Sequence, residues 1–332
     1  MTSVPTARPR VILSQIAPVA WEHPADRAAL QSLRAVPGFD EVVRKILGFF
    51  GERGIRLLFQ ANAVRVGPTQ FPVLHTLLTE VATTMDWPEL PELYVSQTPF
   101  VNAGAVGVDH PFIVLNSGAV AMLDHDEMRV LIGHELGHVM SGHALYRTVL
   151  LLILELGFQN LPFLAGLALL PVKLALLEWY RKSELSADRA GLLASQDTRA
   201  SMRVFLKLAG GGKASETDLD AFLAQAKEYE DRGVALDTIY KILNTLGATH
   251  PFGTLRAAEL QRWVEAGNYD RIVAGEYPRR GTEQSERPLG SDLGEAAAHY
   301  AREAKKTFES VTDAAKRAAE AFSQTFRDSP KR

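Results

Sequence analysis

The stretch His134-Glu135-Leu136-Gly137-His138 constrains this chain of 332 residues more than any other feature. On an α-helix, side chains four residues apart lie on one face, so both imidazoles can bind the same metal ion. Glu135 is offset from that pair and can accept a proton from a metal-activated water without being a ligand itself. The flanking apolar residues are typical of a buried helix, and the alternative is a core helix with two hydrogen-bonded histidines. We predict a zinc site, because two histidines four residues apart on a helix are spaced to bind one zinc ion.

A catalytic zinc ion needs a third protein ligand and one open coordination position. Glu184 is the predicted third ligand. Asp188 lies four residues later on the same helix face and can accept a hydrogen bond from the outward nitrogen of a ligating histidine. Glu155 and Glu178 are rivals, but neither has an aspartate four residues on. His143 does not have the spacing of a third histidine ligand, and we expect it to cap a helix or to pack.

The composition excludes several classes of protein. Lys and Arg number 36 against 39 Asp and Glu, a formal net charge of -3, so we expect no nucleic-acid partner. There is no cysteine, which excludes disulfides and thiolate metal sites and fits a reducing compartment. The apolar run at residues 11–20 is too short and too interrupted for a signal peptide. We therefore expect a cytoplasmic protein, with peripheral membrane association left open.

Five segments together resemble the M48 metallopeptidases, the Ste24/HtpX-like gluzincins, from about residue 91 to residue 256. They are NAGAVG at 102–107, FIVLNSG at 112–118, GHELGHVMSGH at 133–143, SELSADRAG at 183–191 and THPFGTLR at 249–256. The resemblance implies one Zn²⁺ per chain. Its ligands would be His134, His138 and Glu184, its base Glu135, and the carboxylate behind the ligands Asp188.

The resemblance also extends to residues that would contact a substrate. A late His-Pro and a following arginine are thought to face the site in this family, and they match His250 and Arg256, either of which could donate to an oxyanion. The segment Asn102, Ala103 and Gly104 matches the substrate-binding edge strand, to which an extended polypeptide can add through main-chain hydrogen bonds. The family usually carries a bulkier residue where this chain has Gly104.

Periodicity predicts a mainly helical fold with a small mixed β-sheet, and the resemblance makes it a gluzincin, a zincin-type metallopeptidase domain. We expect an N-terminal helical region at 1–85, the metallopeptidase domain at 86–270, a polar linker at 271–293 and an amphipathic helical tail at 294–332. Short strands are expected at ELYVS, at 102–107 and at 111–116. A helix capped by Asp124 should continue to residue 147.

The very apolar segment 148–180 raises the question of a membrane. One span would separate His138 from Glu184, and two spans would need about 40 residues. We therefore predict a helical hairpin that bends near 159–162, either buried or partly exposed to lipid. An eleven-residue repeat in the tail keeps one apolar stripe on a helix over 294–326. That helix could rest on its own domain, bind a partner or touch a lipid surface.

These observations predict a zinc-dependent endopeptidase that hydrolyses peptide bonds with a metal-activated water. One alternative is a non-catalytic adaptor, stabilised by zinc, that binds a membrane or a partner. The presence of Glu135 argues against that alternative, because a purely structural site needs no base. A zinc hydrolase acting on a non-peptide amide is a further alternative, and the expected edge strand argues against it.

Overall fold

The computed structural model describes residues 9–36, 38–154, 163–212, 216–231 and 252–282. Over these ranges the protein is mainly helical with one small mixed sheet, as predicted. Several predictions lie outside the described residues. They concern His250, the bend at 159–162, the linker beyond residue 282 and the tail at 294–332.

All four described strands lie in the first half of the chain, and every described element after them is a helix. The helices are α1 (Pro24–Arg34), α2 (Phe39–Gln60), α3 (Pro72–Thr84), α4 (Ser117–Met122), α5 (His125–Met140), α6 (Ala144–Leu152), α7 (Phe163–Ser195), α8 (Thr198–Gly210), α9 (Leu219–Asp231), α10 (Gly253–Glu265) and α11 (Asn268–Val273). The strands are β1 (Ala63–Arg65), β2 (Leu93–Ser96), β3 (Ala103–Val106) and β4 (Phe112–Asn116).

The sheet has the strand order β1-β2-β4-β3. β2 and β4 run parallel, whereas β1 pairs antiparallel with β2 and β3 pairs antiparallel with β4. The central strand β4 reads Phe-Ile-Val-Leu and is buried along that run, as expected for a strand covered on both faces. β3 is an edge strand that lies next to α5 and α6, so the sheet brings this edge to the metal-motif helix.

Helix α5 begins as predicted but ends earlier. Asp124 Oδ1 accepts the backbone N–H of Glu127, and the Glu127 carboxylate accepts the backbone N–H of Asp124, which is a capping box. The predicted continuation to residue 147 is wrong, because α5 ends at Met140. Gly142 takes a left-handed conformation with φ 68°, which interrupts the helix before α6. The break turns His143 back towards α5.

Small residues let α5 and α7 approach closely. A Cβ on Gly133 would lie 2.4 Å from the Cβ of Ala194, and one on Gly191 would lie 2.8 Å from the carbonyl oxygen of Val130. Contacts this short leave no room for larger side chains on either helix. The face of α5 that carries the two motif histidines therefore lies directly against α7.

The described parts of the apolar segment 148–180 pack inside the protein. Residues of α6 and α7 form one hydrophobic cluster with the end of α1 and the start of α2, and its fully or nearly fully buried members include Leu33, Phe39, Val149, Leu150, Ile153, Val172, Leu176 and Trp179. Burial of this apolar surface holds the N-terminal helices against the metal-motif region. Among the residues that the structure describes, no helix is long and apolar enough to cross a membrane.

The chain after α11 returns to the N-terminal segment. The backbone N–H of Arg280 donates to Gln15 O at 2.7 Å, and that of Ala17 donates to Pro278 O at 3.0 Å. The Arg280 guanidinium also donates to Ile16 O at 3.0 Å. Residues 278–280, within the predicted linker at 271–293, therefore contact residues 15–17.

Candidate metal centre

Helix α5 presents His134 and His138 side by side. The Nε2 atoms of the two rings lie 3.2 Å apart, and both residues are buried. The arrangement follows from their four-residue spacing, which places them one turn apart on the same face. Both Nε2 atoms point away from α5 and towards α7.

Glu184 of α7 faces these two nitrogens. Its Oε2 lies 3.4 Å from His134 Nε2, and its Oε1 lies 3.3 Å from His138 Nε2. The carboxylate is 1% exposed, so its charge needs compensation within the protein. Of the acidic and histidine clusters in the described part of the chain, His134, His138 and Glu184 are the group whose ligand atoms converge as a metal requires.

The size of this triangle suits zinc. Ligand atoms at 2.0–2.1 Å from a tetrahedral zinc ion lie about 3.3 Å from one another. The three separations observed here, 3.2, 3.3 and 3.4 Å, match that value. Two imidazole nitrogens and one carboxylate, with a fourth direction open towards the cleft, are also the donor set of a catalytic zinc site.

The charges around His134 favour a cation. Burial lowers the pKa of His134, but Glu184 and Asp188 outweigh burial and raise that pKa to about 9. The pKa of His138 is lowered, mainly by burial and then by Arg147, which keeps this imidazole neutral and able to coordinate. A field that draws a proton to His134 would draw a metal cation to the same nitrogen.

Asp188 lies behind His134. Its Oδ1 is 3.0 Å from His134 Nδ1, the ring nitrogen that faces away from the ligand triangle. Arg256 of α10 donates through Nε to Asp188 Oδ2 at 2.8 Å, and its Nη1 lies 3.3 Å from Glu184 Oε2. Burial raises the pKa of Asp188, but Arg256 and His134 together outweigh burial and lower it, so this carboxylate stays ionised.

Glu135 lies beside the ligands without joining them. Its Oε1 is 3.9 Å from His134 Nε2, and Arg147 approaches its Oε2 to 3.7 Å. Within the described residues, this buried Oε2 makes no hydrogen bond. A buried carboxylate oxygen without a hydrogen bond is costly in free energy, and such atoms are typical of catalytic groups.

Two neighbours of the ligands were not predicted from the sequence as part of the site. Arg147 of α6 lies 3.3 Å from Glu184 Oε1, and its guanidinium stacks over the ring of Tyr180 at 4.9 Å. His143 stands 3.0 Å from His138, Nδ1 to Nδ1, and on its other side contacts Asp26 of α1. The spacing of His143 excluded it as a metal ligand but carried no signal for an outer partner.

A cleft of about 870 Å³ opens onto the ligands, and the predicted edge strand contributes to its wall. Asn102 and Ala103 line the cleft. A Cβ added to Gly104 would lie 3.9 Å from Nη2 of Arg147, so Gly104 faces that guanidinium. Much of the remaining wall is apolar, and Phe100 at the mouth is 76% exposed.

Comparisons with known proteins show the family of this chain. The model of peptidase family M48 matches residues 68–264. The chain is similar to the plastoglobule-localized metallopeptidase 48, chloroplastic, of Arabidopsis thaliana, with 33% identity over 258 residues, 76% of this chain and 74% of that protein. It is also similar to a protease HtpX homolog of Caldanaerobacter subterraneus, with 34% identity over 98 residues, 29% of this chain and only 32% of that protein. No solved structure matches the chain.

Proposed function

The chain belongs to peptidase family M48 and is a metallopeptidase, and on that premise we propose that it is a zinc-dependent endopeptidase. The observation that carries the proposal is the convergence of His134, His138 and Glu184 on one point, with Glu135 Oε1 beside it at 3.9 Å from His134 Nε2. This arrangement supplies both a zinc site and a base, the two parts that hydrolysis of a peptide bond requires.

In this proposal one zinc ion per chain is held by His134, His138 and Glu184. When bound, zinc would lower the pKa of a coordinated water to about 7 and polarise a substrate carbonyl. The Glu135 carboxylate, whose Oε1 lies nearest the ligands, would accept a proton from the attacking water and deliver it to the amine that leaves. Asp188 accepts the hydrogen of His134 Nδ1 and so keeps the ring oriented with Nε2 towards the metal.

Arg256 is proposed as a positioning residue. Its Nε and Nη2 donate to Asp188, and its Nη1 lies beside Glu184, so all three nitrogens of the guanidinium face carboxylates. These contacts support a role in holding the two carboxylates in place. Because a guanidinium carries five N–H groups and Arg256 also lines the cleft, the oxyanion donor, His250 or Arg256, stays a prediction.

The proposed substrates are polypeptides in an extended conformation. The edge strand β3 offers backbone groups for pairing, and Asn102 and Ala103 place its start in the cleft wall. Contact with a lipid surface, through 148–180 or through 294–326, stays a prediction. The adaptor alternative is not favoured, because a site that only stabilises the fold does not need the carboxylate of Glu135 beside the ligands.

The test compares the wild type with Glu135→Gln on an unfolded protein such as casein, with metal analysis of both. We expect one zinc ion per chain in both proteins and a loss of cleavage of about 100-fold or more in the variant. Glu127→Gln is the matched control, since it neutralises another buried glutamate of α5, one that pairs with Lys207 and Arg203. Equal activity in wild type and Glu135→Gln would contradict the role of the base.

A further inference from the structure

The two histidines of the ligand triangle have outer partners of different kinds. His134 Nδ1 contacts a carboxylate directly, at 3.0 Å from Asp188 Oδ1. His138 Nδ1 contacts a second imidazole, at 3.0 Å from His143 Nδ1, and His143 Nε2 lies 3.2 Å from Asp26 Oδ2. The contacts of His138 thus also end on a carboxylate, but with His143 between the ligand and that carboxylate.

The hydrogens shared by His138, His143 and Asp26 have one consistent arrangement. A metal at His138 Nε2 leaves the hydrogen of that ring on Nδ1, which must donate. His143 Nδ1 is then the acceptor, so a neutral His143 carries its hydrogen on Nε2 and donates to Asp26. Asp26 therefore fixes the tautomer of His143, and His143 fixes the tautomer and ring angle of His138.

The contacts from His138 through His143 to Asp26 are shielded from water, and these side chains are held on several sides. Asp26 is 2% exposed, His143 3% and His138 0%, so water does not compete for these contacts. Ser186 donates through Oγ to Asp26 Oδ2 at 2.6 Å, which ties the carboxylate to α7. The ring of His143 also packs edge-on against Trp179, with centroids 5.5 Å apart. A ring held this way has little freedom to rotate.

Stability alone does not explain such a group. Replacing a buried charged network with apolar side chains of similar volume is often neutral or stabilising. By contrast, outer partners that orient a ligating histidine usually strengthen metal binding. The contact geometry of Asp26 and His143 therefore fits orientation of a metal ligand better than maintenance of the fold.

We propose that Asp26 and His143 are positioning residues for His138, and that helix α1 is thereby part of the metal centre. Asp26 lies upstream of residues 68–264, the part of the chain that the family match covers. The inference rests on the proposed function, because it needs a metal held by His138.

The first test measures zinc affinity of purified, folded full-length protein by competition with a chelator. His143→Leu keeps much of the volume but leaves His138 Nδ1–H without an acceptor, and we expect affinity to fall about 10- to 100-fold. His143→Asn keeps an acceptor near the Nδ1 position and should retain more affinity than the leucine variant. Asp26→Ala should resemble His143→Leu, and Asp26→Asn should lose less.

A double-mutant cycle separates this role from general destabilisation. If Asp26 acts through His143, the variant with both Asp26→Ala and His143→Leu should lose no more affinity than His143→Leu alone. Asp26→Ala combined with Asp188→Asn should instead show additive losses, because each acts on a different ligand. Glu127→Gln, which removes a buried carboxylate charge away from this chain of contacts, should leave zinc affinity unchanged.

Cobalt substitution adds a readout that does not depend on activity. A change in ring orientation at His138 should shift the visible absorption of the Co²⁺ protein in Asp26→Ala and His143→Leu, but not in Glu127→Gln. The proposal is overturned if the folded variants bind zinc as tightly as the wild type and show its cobalt spectrum. If the wild type itself binds no zinc, the metal centre and the proposed function fall together with it.

Discussion

A Cβ atom on Gly137 would lie 2.4 Å from the Cβ of Ala190, closer than two such atoms can approach. Gly137 stands between the two histidines of α5, and Ala190 follows Glu184 on α7. The absence of a side chain at this crossing is therefore what lets ligands from two helices share one ion.

Replacing Gly137 with alanine should push α5 and α7 apart. We expect a loss of unfolding free energy of about 1–3 kcal/mol from overpacking, and weaker zinc binding because Glu184 moves away from the histidines. Gly48→Ala is the control, because a Cβ there meets nothing within 4 Å, and it should keep zinc affinity and gain up to about 1 kcal/mol of stability from its better helix propensity. Thermal unfolding and zinc titration measure both effects, and unchanged zinc affinity in Gly137→Ala would contradict the prediction.

Glu184→Ala should abolish stoichiometric zinc binding, since it removes one of three protein ligands. Glu178→Ala is the matched control on the same helix, because Glu178 pairs with Arg181 and Lys182 away from the triangle. Metal analysis after dialysis should find one zinc ion per chain in the control and little in Glu184→Ala. Retention of zinc in Glu184→Ala would show that another residue is the third ligand.

Phe100→Ala should weaken the binding of substrates without changing the fold. Phe100 lines the mouth of the cleft and is 76% exposed, so the free protein gains little from its ring. A loss of about 1 kcal/mol of substrate contact corresponds to about fivefold in kcat/KM. Leu90→Ala, at an exposed apolar residue outside the described cleft wall, should leave kcat/KM unchanged. Equal values for both variants would rule out contact between Phe100 and the substrate.

Protonation of His23 in the unfolded chain should lower the free energy of unfolding in mild acid. Burial lowers its pKa, as do Arg189 and Lys182, while Glu259 opposes them. The unfolded chain binds a proton near pH 6.5 and the folded one does so only at lower pH, so stability falls as pH decreases below about 6.5. His23→Asn keeps a side-chain acceptor for the N–H of Ala25 but does not titrate.

The measurement is the Tm of both proteins between pH 8 and pH 5, with a chelator present so that metal binding does not contribute. The Tm of His23→Asn should decrease less than that of the wild type over the acidic part of this range. Parallel curves would show that His23 is not responsible.

Removal of residues 291–332 should leave the zinc site and the peptidase activity intact. The described chain reaches residue 282 and contacts residues 15–17 there, so the truncation keeps every contact described above. Gel filtration, metal analysis and casein cleavage test this expectation, and vesicle flotation of both forms tests whether the tail binds lipid. An insoluble or zinc-free truncated protein would place the tail within the folded core.

The residues that local spacing determines were predictable from the sequence alone. His134 and His138 share a face because they are four residues apart on a helix, and the same reasoning pairs Glu184 with Asp188. The N-cap at Asp124 and the short strands are likewise local patterns. The structure places Glu184 within ligand distance of both histidines and Asp188 within hydrogen-bond distance of His134.

Only the tertiary structure decided which distant faces meet. Asp26 reaches His143 from more than a hundred residues away, and Arg147 reaches Glu184 because α6 and α7 pack together. The end of α5 at Met140 was also unpredicted, since the periodic pattern continues while Gly142 breaks the helix. Periodicity encodes the buried face of each helix, but the partner of that face depends on packing of the whole core, which short-range spacing does not contain.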